Sequence, residues 1–299
     1  MTGRSVATQP LRPRRRRNRT LAVLRIGVIT LTLAWSAGPI VLAAVTSLST
    51  QAEVNSVPPV WIPATVDFGS YRALLPFNAS DATGNSGVTG QFAHALLINL
   101  ELSVETVLLS LLVGLPAGFA FSRMRVPARG VLFGALIGTI VVPVFALIGP
   151  LFRMMASLHL IDTNPGLVLV YTTAVAPLGI WLFYNHCNDL PVEPQEAALI
   201  DGATWLQTLT RIVVPQLASA IAAITAILFL ASWGQFLVPL LFAPTPDTMP
   251  ATVLITQFVG KYATDYPLLS AAGMLTLLPP ALVALFANRH IRGVLTGSH

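Results

Sequence analysis

Residues 96–121 read LLINLELSVETVLLSLLVGLPAGFAF, a run whose two ionisable side chains are Glu101 and Glu105. A helix needs roughly 20 apolar residues to cross the hydrocarbon core of a bilayer, and this run is long enough. Five further windows share its character: about Leu24–Leu48, Val131–Leu151, Gly166–Tyr184, Ala218–Leu240 and Leu268–Phe286. Lys and Arg are confined to their edges. Across the 299 residues, 54% are hydrophobic and 10% charged, with a mean hydropathy of +0.73. A soluble domain carries about 25% charged residues. Only helices and closed barrels satisfy their backbone in lipid, and windows of this length select helices. The expectation is an all-α integral membrane protein with about six transmembrane helices.

The first window follows a cluster of arginines, as the core of a secretory leader would. Its apolar run of about 25 residues exceeds the 7–15 of such a core, so it is read as a retained span. Charge then sets the orientation. Fourteen of the 17 basic residues fall on one side: eight up to Arg25, then Arg123, Arg125, Arg129, Arg211, Arg289 and Arg292. Arg72, Arg153 and Lys261 fall on the other. This positive-inside bias places both termini in the cytoplasm. The segment RPRRRRNR (12–19) is read as a topology determinant touching anionic lipid, with no nucleic-acid partner. Residues 1–20 form an Arg-rich cytoplasmic tail expected to be disordered, and 21–299 a single transmembrane domain. Within that domain, 49–91 is an external segment and 186–215 a cytoplasmic loop.

Enzymatic signatures are missing. No phosphate loop, Gly-x-Ser-x-Gly or His-Glu-x-x-His occurs. His94, His159, His186, His290 and His299 have no Cys or acid at metal-ligand spacing, so no metal and no resident cofactor are expected. One cysteine, Cys187, excludes a disulfide framework. Glu101 and Glu105 lie one turn apart at the external end of their span. There they either complement the helix start or line the mouth of a polar path and accept hydrogen bonds from a hydroxylated solute. Pro116, Pro143, Pro177, Pro239, Pro279 and Pro280 fall inside spans, where broken helices serve as hinges or line a route.

The stretch EAALIDGATWLQTLTRIVVP (196–215) stands apart from this apolar background. Asp189, Glu193, Glu196 and Asp201 against Arg211 give it a local charge of −3 on a face that is otherwise positive. Anionic lipid repels such a loop, whereas a basic groove on a protein holds it. Pro194 suits a first helical turn, a short helix over 194–201 puts Glu196 and Ile200 on one face, and Gly202 permits a positive-φ turn. Ala197 and Ala198 leave a shallow surface for docking.

The spacing Glu196-Ala197-Ala198, three residues, Gly202, nine residues, Ile212-Val213-Val214-Pro215 resembles the signature of binding-protein-dependent ABC importer permeases, with Val214 where Leu is usual. The insertion DGAT (201–204) is similar to the carbohydrate-uptake branch, near the second permease of maltose-type importers. FSRMRVPARG (121–130), LHLIDTNPGLVLVY (158–171), PLLSAAGMLTLLPP (267–280) and RGVLTGS (292–298) agree, so the resemblance spans about 95–297. It implies the ABC importer permease fold, partnered by cytoplasmic ATPase subunits, a second homologous permease and an external solute-binding protein. It also implies that Glu196, Ala197, Ala198, Asp201 and Gly202 form the coupling helix, with ATP hydrolysed by the partner, and that the cargo is a sugar. The chain departs from the pattern at Trp233-Gly234-Gln235-Phe236, where relatives carry Trp-Asn-Glu-Phe and hence an acid. It also stops at Leu295-Thr296-Gly297-Ser298-His299, so the maltose-type tail contact is not expected. Trp233 and Gln235, with Glu101 and Glu105, are the candidate solute-path residues. Two other classes compete: an ion-coupled secondary transporter, which needs mid-membrane carboxylates, and a membrane enzyme using Glu101 and Glu105. Copurification of an ATPase, lost on replacing 196–202, separates the first reading from both.

Overall fold

A computed structural model describes residues 15–58, 60–75, 88–142, 144–259 and 264–296, without the side chains of 15–22, 88–89, 144 and 288–296. Arg4, Arg12 and Arg14, the side chains of Arg15, Arg16, Arg17 and Arg19, Pro143, Lys261, Tyr262, the side chains of Arg289 and Arg292 and the final residues 297–299 lie outside that description. The described residues are helical but for turns and one isolated bridge between Val259 and Thr264. The long helices are α1 (Arg15–Ser47), α2 (Phe92–Arg123), α3 (Arg129–Val141), α4 (Val144–Ser157), α5 (Asn164–Asn188), α6 (Glu193–Ile200), α7 (Ala218–Trp233) and α8 (Tyr266–Thr296). Helical backbone begins at Arg15, inside the stretch expected to be a disordered tail.

Four of these helices are long and apolar enough to cross a membrane: Val23–Ser47, Phe92–Arg123, Asn164–Asn188 and Tyr266–Ala287. The third and fifth windows do not form single straight spans. Val131–Leu151 divides between α3 and α4, whose axes meet at 102°. Ala218–Leu240 divides too, because α7 stops at Trp233 and a short helix, Leu237–Phe242, follows the Gly234–Phe236 break. Sixteen residues of α7 span only about 24 Å, short of a hydrocarbon core of about 30 Å. The prolines, in contrast, break little. Helices run through Pro116, Pro177 and the Pro279–Pro280 pair.

The centre of the bundle is the parallel pair α2 and α5. Small residues permit it: a Cβ on Gly118 would meet the Phe183 Cβ at 2.6 Å and the Tyr184 nitrogen at 2.9 Å. Close backbone approach through glycine substitutes for the hydrophobic drive that is missing inside lipid. Ile98, Leu102, Leu167 and Tyr171 pack with Val238 and Phe242 toward the helix starts. Val107, Val175 and Phe183 pack with Ile224, Leu228 and Trp233 further along. Near the C-termini of α2 and α5, Phe119 and Cys187 meet Leu209, Val213 and Leu217. α8 closes the bundle against α7 and carries α1 on its outer side. α1 is otherwise open, with Trp35 83% exposed, as a lipid-facing helix is. At the opposite end from Arg123, Gln51 stitches the loop after α1 to the start of α8, donating to the Thr264 oxygen at 2.9 Å and accepting from the Tyr266 nitrogen at 3.2 Å.

Candidate functional site

The acidic stretch is a built element. Pro194 stands in the first turn of α6, and Glu193 and Glu196 complement its positive end. The helix then closes as a Schellman motif: the Ala203 nitrogen donates to the Ala198 oxygen at 2.9 Å and the Gly202 nitrogen to the Leu199 oxygen at 3.2 Å. That closure places Gly202 at φ +86°, which L side chains rarely adopt. A capping box follows at once, the Thr204 nitrogen donating to Gln207 Oε1 at 2.8 Å and the Gln207 nitrogen to Thr204 Oγ1 at 3.3 Å. From Trp205 the chain is helical through a π-type turn, Leu209–Val213, to Gln216, and there it meets α7 at 84°.

Its two faces differ. Leu209, Val213 and Leu217 are buried at spacings of four and fix the segment to Phe119 of α2, while Trp205 packs edge-on against the Phe119 ring at 6.1 Å. Gln195 turns inward, donating to the Pro191 oxygen at 3.2 Å. Glu196, Ala197, Asp201 and Gly202 are exposed and Ala198 is half-buried. Beside them Ile200 is 86% exposed and Leu206 68%. The structure thus brings all five expected coupling residues onto one small knob, with Ile200, expected on the Glu196 face, and Leu206, which the sequence reading did not single out. An acidic rim around exposed Ile200 is suited to a groove with an apolar floor and basic edges.

The expected path residues do not gather in one place. Glu105 accepts from Asn164 Nδ2 at 3.0 Å, holding the start of α5. Glu101 lies exposed in a shallow cleft that also takes in Asp247 and Thr248. Trp233 and Gln235 are elsewhere. The Trp233 indole stacks on Phe229 with centroids 5.5 Å apart and donates to the Thr276 oxygen at 3.2 Å. Its edge joins Phe236, Thr252, Thr276, Leu277 and Pro280 around a cavity of about 350 Å³. Gln235 reaches this region through its carbonyl, which accepts from Thr252 Oγ1 at 3.0 Å.

A third feature escaped the sequence reading. Asn99, Ser103, Thr106 and Ser110 recur along α2 at helical spacing and are all at most 3% exposed. Asn99 Oδ1 accepts from Thr252 Oγ1 at 3.4 Å, linking this seam to the cavity rim. Thr106 Oγ1, Ser110 Oγ, Tyr171 OH, Thr172 Oγ1 and Ser232 Oγ have no hydrogen-bond partner among the described residues. The signal was present as a period of three to four polar residues inside an apolar window. Among the described residues no group of three His, Cys, Asp or Glu side chains could hold a metal ion.

Comparison with known proteins extends this geometry. A putative ABC transporter permease protein of Streptomyces antibioticus is 34% identical over 207 residues, covering 69% of this chain and 90% of its own. The trehalose transport system permease of Mycobacterium tuberculosis is 28% identical over 240 residues, covering 79% and 83%. Among solved structures, a bacterial ABC transporter that imports the acidic polysaccharide alginate superposes with a TM-score of 0.77 at 20% identity, over 94% of this chain and 99% of that one. Residues 110–294, which hold the knob, the cavity wall and most of the α2–α5 pair, match one family throughout, and the chain belongs to it: the binding-protein-dependent transport system inner membrane components.

Proposed function

We propose that this chain is the permease subunit of an ATP-driven importer that carries a sugar or glycoside inward, and that the α6 knob is where its ATPase holds it. As a family member it is a multi-pass inner-membrane transport component working with an ATPase and a solute-binding protein, not an enzyme. The secondary-transporter and membrane-enzyme alternatives fall away with that membership. The observation carrying the coupling assignment is the knob itself: an exposed acidic helix, closed by a positive-φ glycine and rigidly backed by Leu209, Val213 and Leu217. A flexible solvated loop would need none of that backing.

In this reading Glu196 is the ionic anchor in a basic groove, Ile200 and Ala197 fill its floor, and Gly202 sets the angle between α6 and the segment after it. ATP is bound and hydrolysed by the partner, and closure of the ATPase pulls the knob and shifts the bundle between two states. Arg123, Arg125, Arg129 and Arg211 share an end of the bundle with the knob, which supports a cytoplasmic placement of that end and of both termini. A single membrane domain over 21–299 with a short basic tail is the matching organisation. A second, homologous permease is the partner assigned to the free faces of the bundle, supported by α3, which has no buried residue.

The cargo assignment rests on chemistry and on relatives. Trp233, Phe236 and Pro280 bring ring carbons to the cavity, suited to sugar C–H groups, Thr252 and Thr276 lie among them, and among the described residues no charged side chain lines it. Of the three proteins named, one belongs to a trehalose transport system and one to an importer of alginate, both saccharides. Trp233 and the Gln235 segment form the inner path in this proposal, and Glu101 lies at the outer mouth.

Deletion of Glu196–Gly202, or Gly202→Asp, is expected to abolish uptake and ATPase copurification while leaving membrane insertion intact. Normal uptake by either variant would sink the coupling assignment. Binding of the purified external receptor to a panel of disaccharides and amino acids tests the cargo, and binding of amino acids alone overturns the sugar reading.

A further inference from the structure

Arg123 closes the last turn of α2, and its Nη2 donates to two backbone oxygens at 2.6 Å each, those of Cys187 and Leu190. These carbonyls bracket the point where α5 ends and the chain turns through Pro191 and Val192 into α6. A cation at the negative end of α5 is favourable, and the two hydrogens of one planar guanidinium nitrogen point in fixed directions, which those of a rotating ammonium do not. Two contacts flank it. Ser122 Oγ donates to Asn188 Oδ1 at 2.9 Å. Arg129 Nη2 donates to the Tyr184 hydroxyl at 3.1 Å with its guanidinium 5.4 Å above that ring. Three successive polar contacts therefore tie the end of α2 and the start of α3 to the end of α5, immediately before the knob.

The other half of α2 carries Asn99, whose amide meets Thr252 at the cavity rim. One rigid helix thus touches the root of the knob at one end and the cavity at the other. We propose that Arg123 is a positioning residue, the strut that passes displacement of α6 to α2 so that the cavity rim moves when the ATPase closes. The inference rests on the reading of α6 as the ATPase docking helix. The packing at Phe119 backs the segment that follows α6, whereas the double hydrogen bond from Arg123 is the tie at the root of α6 itself.

The test uses the complete transporter, with its ATPase, second permease and receptor, in lipid nanodiscs. Gly273→Cys, in the same cavity lining with open space for a side chain, serves as a reporter for a membrane-impermeant maleimide, since native Cys187 is only 1% exposed. With Arg123 present, trapping the ATPase with ATP and vanadate is expected to change the labelling rate. Arg123→Gln should retain the ATPase and trap vanadate normally yet lose that change, and Arg123→Lys should recover part of it. A full labelling change in Arg123→Gln overturns the proposal, and so does no change with Arg123 present. Loss of the ATPase from Arg123→Gln also overturns it, because Arg123 would then shape the docking surface only. If Arg123→Gln fails to insert, Arg123→Lys decides: a wild-type response, or failure to insert as well, overturns the strut. The docking reading fails separately, if the ATPase still copurifies after deletion of Glu196–Gly202.

Discussion

Single residues matter here according to the space and backbone angle around them, and two glycines show opposite cases. Gly202 has open space where a side chain would point but a φ of +86°, so a larger residue there meets backbone strain alone. Gly118 has an ordinary helical backbone but no space, facing Phe183 at 2.6 Å. Gly118→Ala is therefore expected to destabilise the α2–α5 pair by about 1–3 kcal/mol, the usual range for overpacking. Thermal unfolding in detergent checks this, and an unchanged midpoint would mean that the two helices separate freely. Gly202 was legible in the sequence because its role is local: an acidic helix, a glycine and a Thr-x-x-Gln cap lie within about fifteen residues. Gly118 was not, because its constraint comes from Phe183, sixty-five positions along the chain.

At the scale of elements, the apolar windows located the helices, and their bends were invisible. Hydropathy reports how much of a segment can lie in lipid and is silent on the direction of its axis. So α3 and α4 read as one window, and α7 read as continuing to Leu240. The Thr252–Gln235 and Thr252–Asn99 contacts join three distant segments and leave no local mark. A second tie of this kind holds the turn before α5. The Asp162 nitrogen donates to the Phe242 oxygen at 2.9 Å, and its carboxylate accepts from the Thr245 nitrogen and the Thr248 hydroxyl. Burial works to raise the Asp162 carboxyl, but the hydrogen bonds from Thr248 and Thr245 outweigh it and hold it below the usual carboxylate range. A depressed folded value contributes stability that is present above the unfolded value of about 3.9 and is lost as pH falls through the folded one. Acidification from about pH 5 to 3 should lower the melting temperature, with a component missing in Asp162→Asn. Parallel curves for the two proteins would show that the tie contributes nothing to stability.

At the scale of the whole molecule, composition pointed to a membrane solvent and charge asymmetry to an expected orientation, while family membership brings in the ATPase and the α6 knob is the proposed point of contact. The knob combines Glu193, Glu196 and Asp201 with exposed Ile200 and Leu206, so the proposed grip on an ATPase has an ionic part and an apolar part. Salt at about 1 M screens charges beyond roughly 3 Å. Copurification of the ATPase is expected to weaken under those conditions without vanishing, and complete insensitivity would assign the grip to the apolar side chains alone. The right angle at Leu217 sets what such a grip can accomplish. The twelve residues Trp205–Gln216 form an arm of about 18 Å lying across the foot of α7 at 84°. An arm set square to a shaft is a crank: tilting its far end swings the shaft sideways and turns it, and almost none of the motion becomes a vertical piston stroke. Under the proposed coupling, import is a matter of helices swinging apart in the plane of the membrane, and the thickness of the bilayer around them need hardly change.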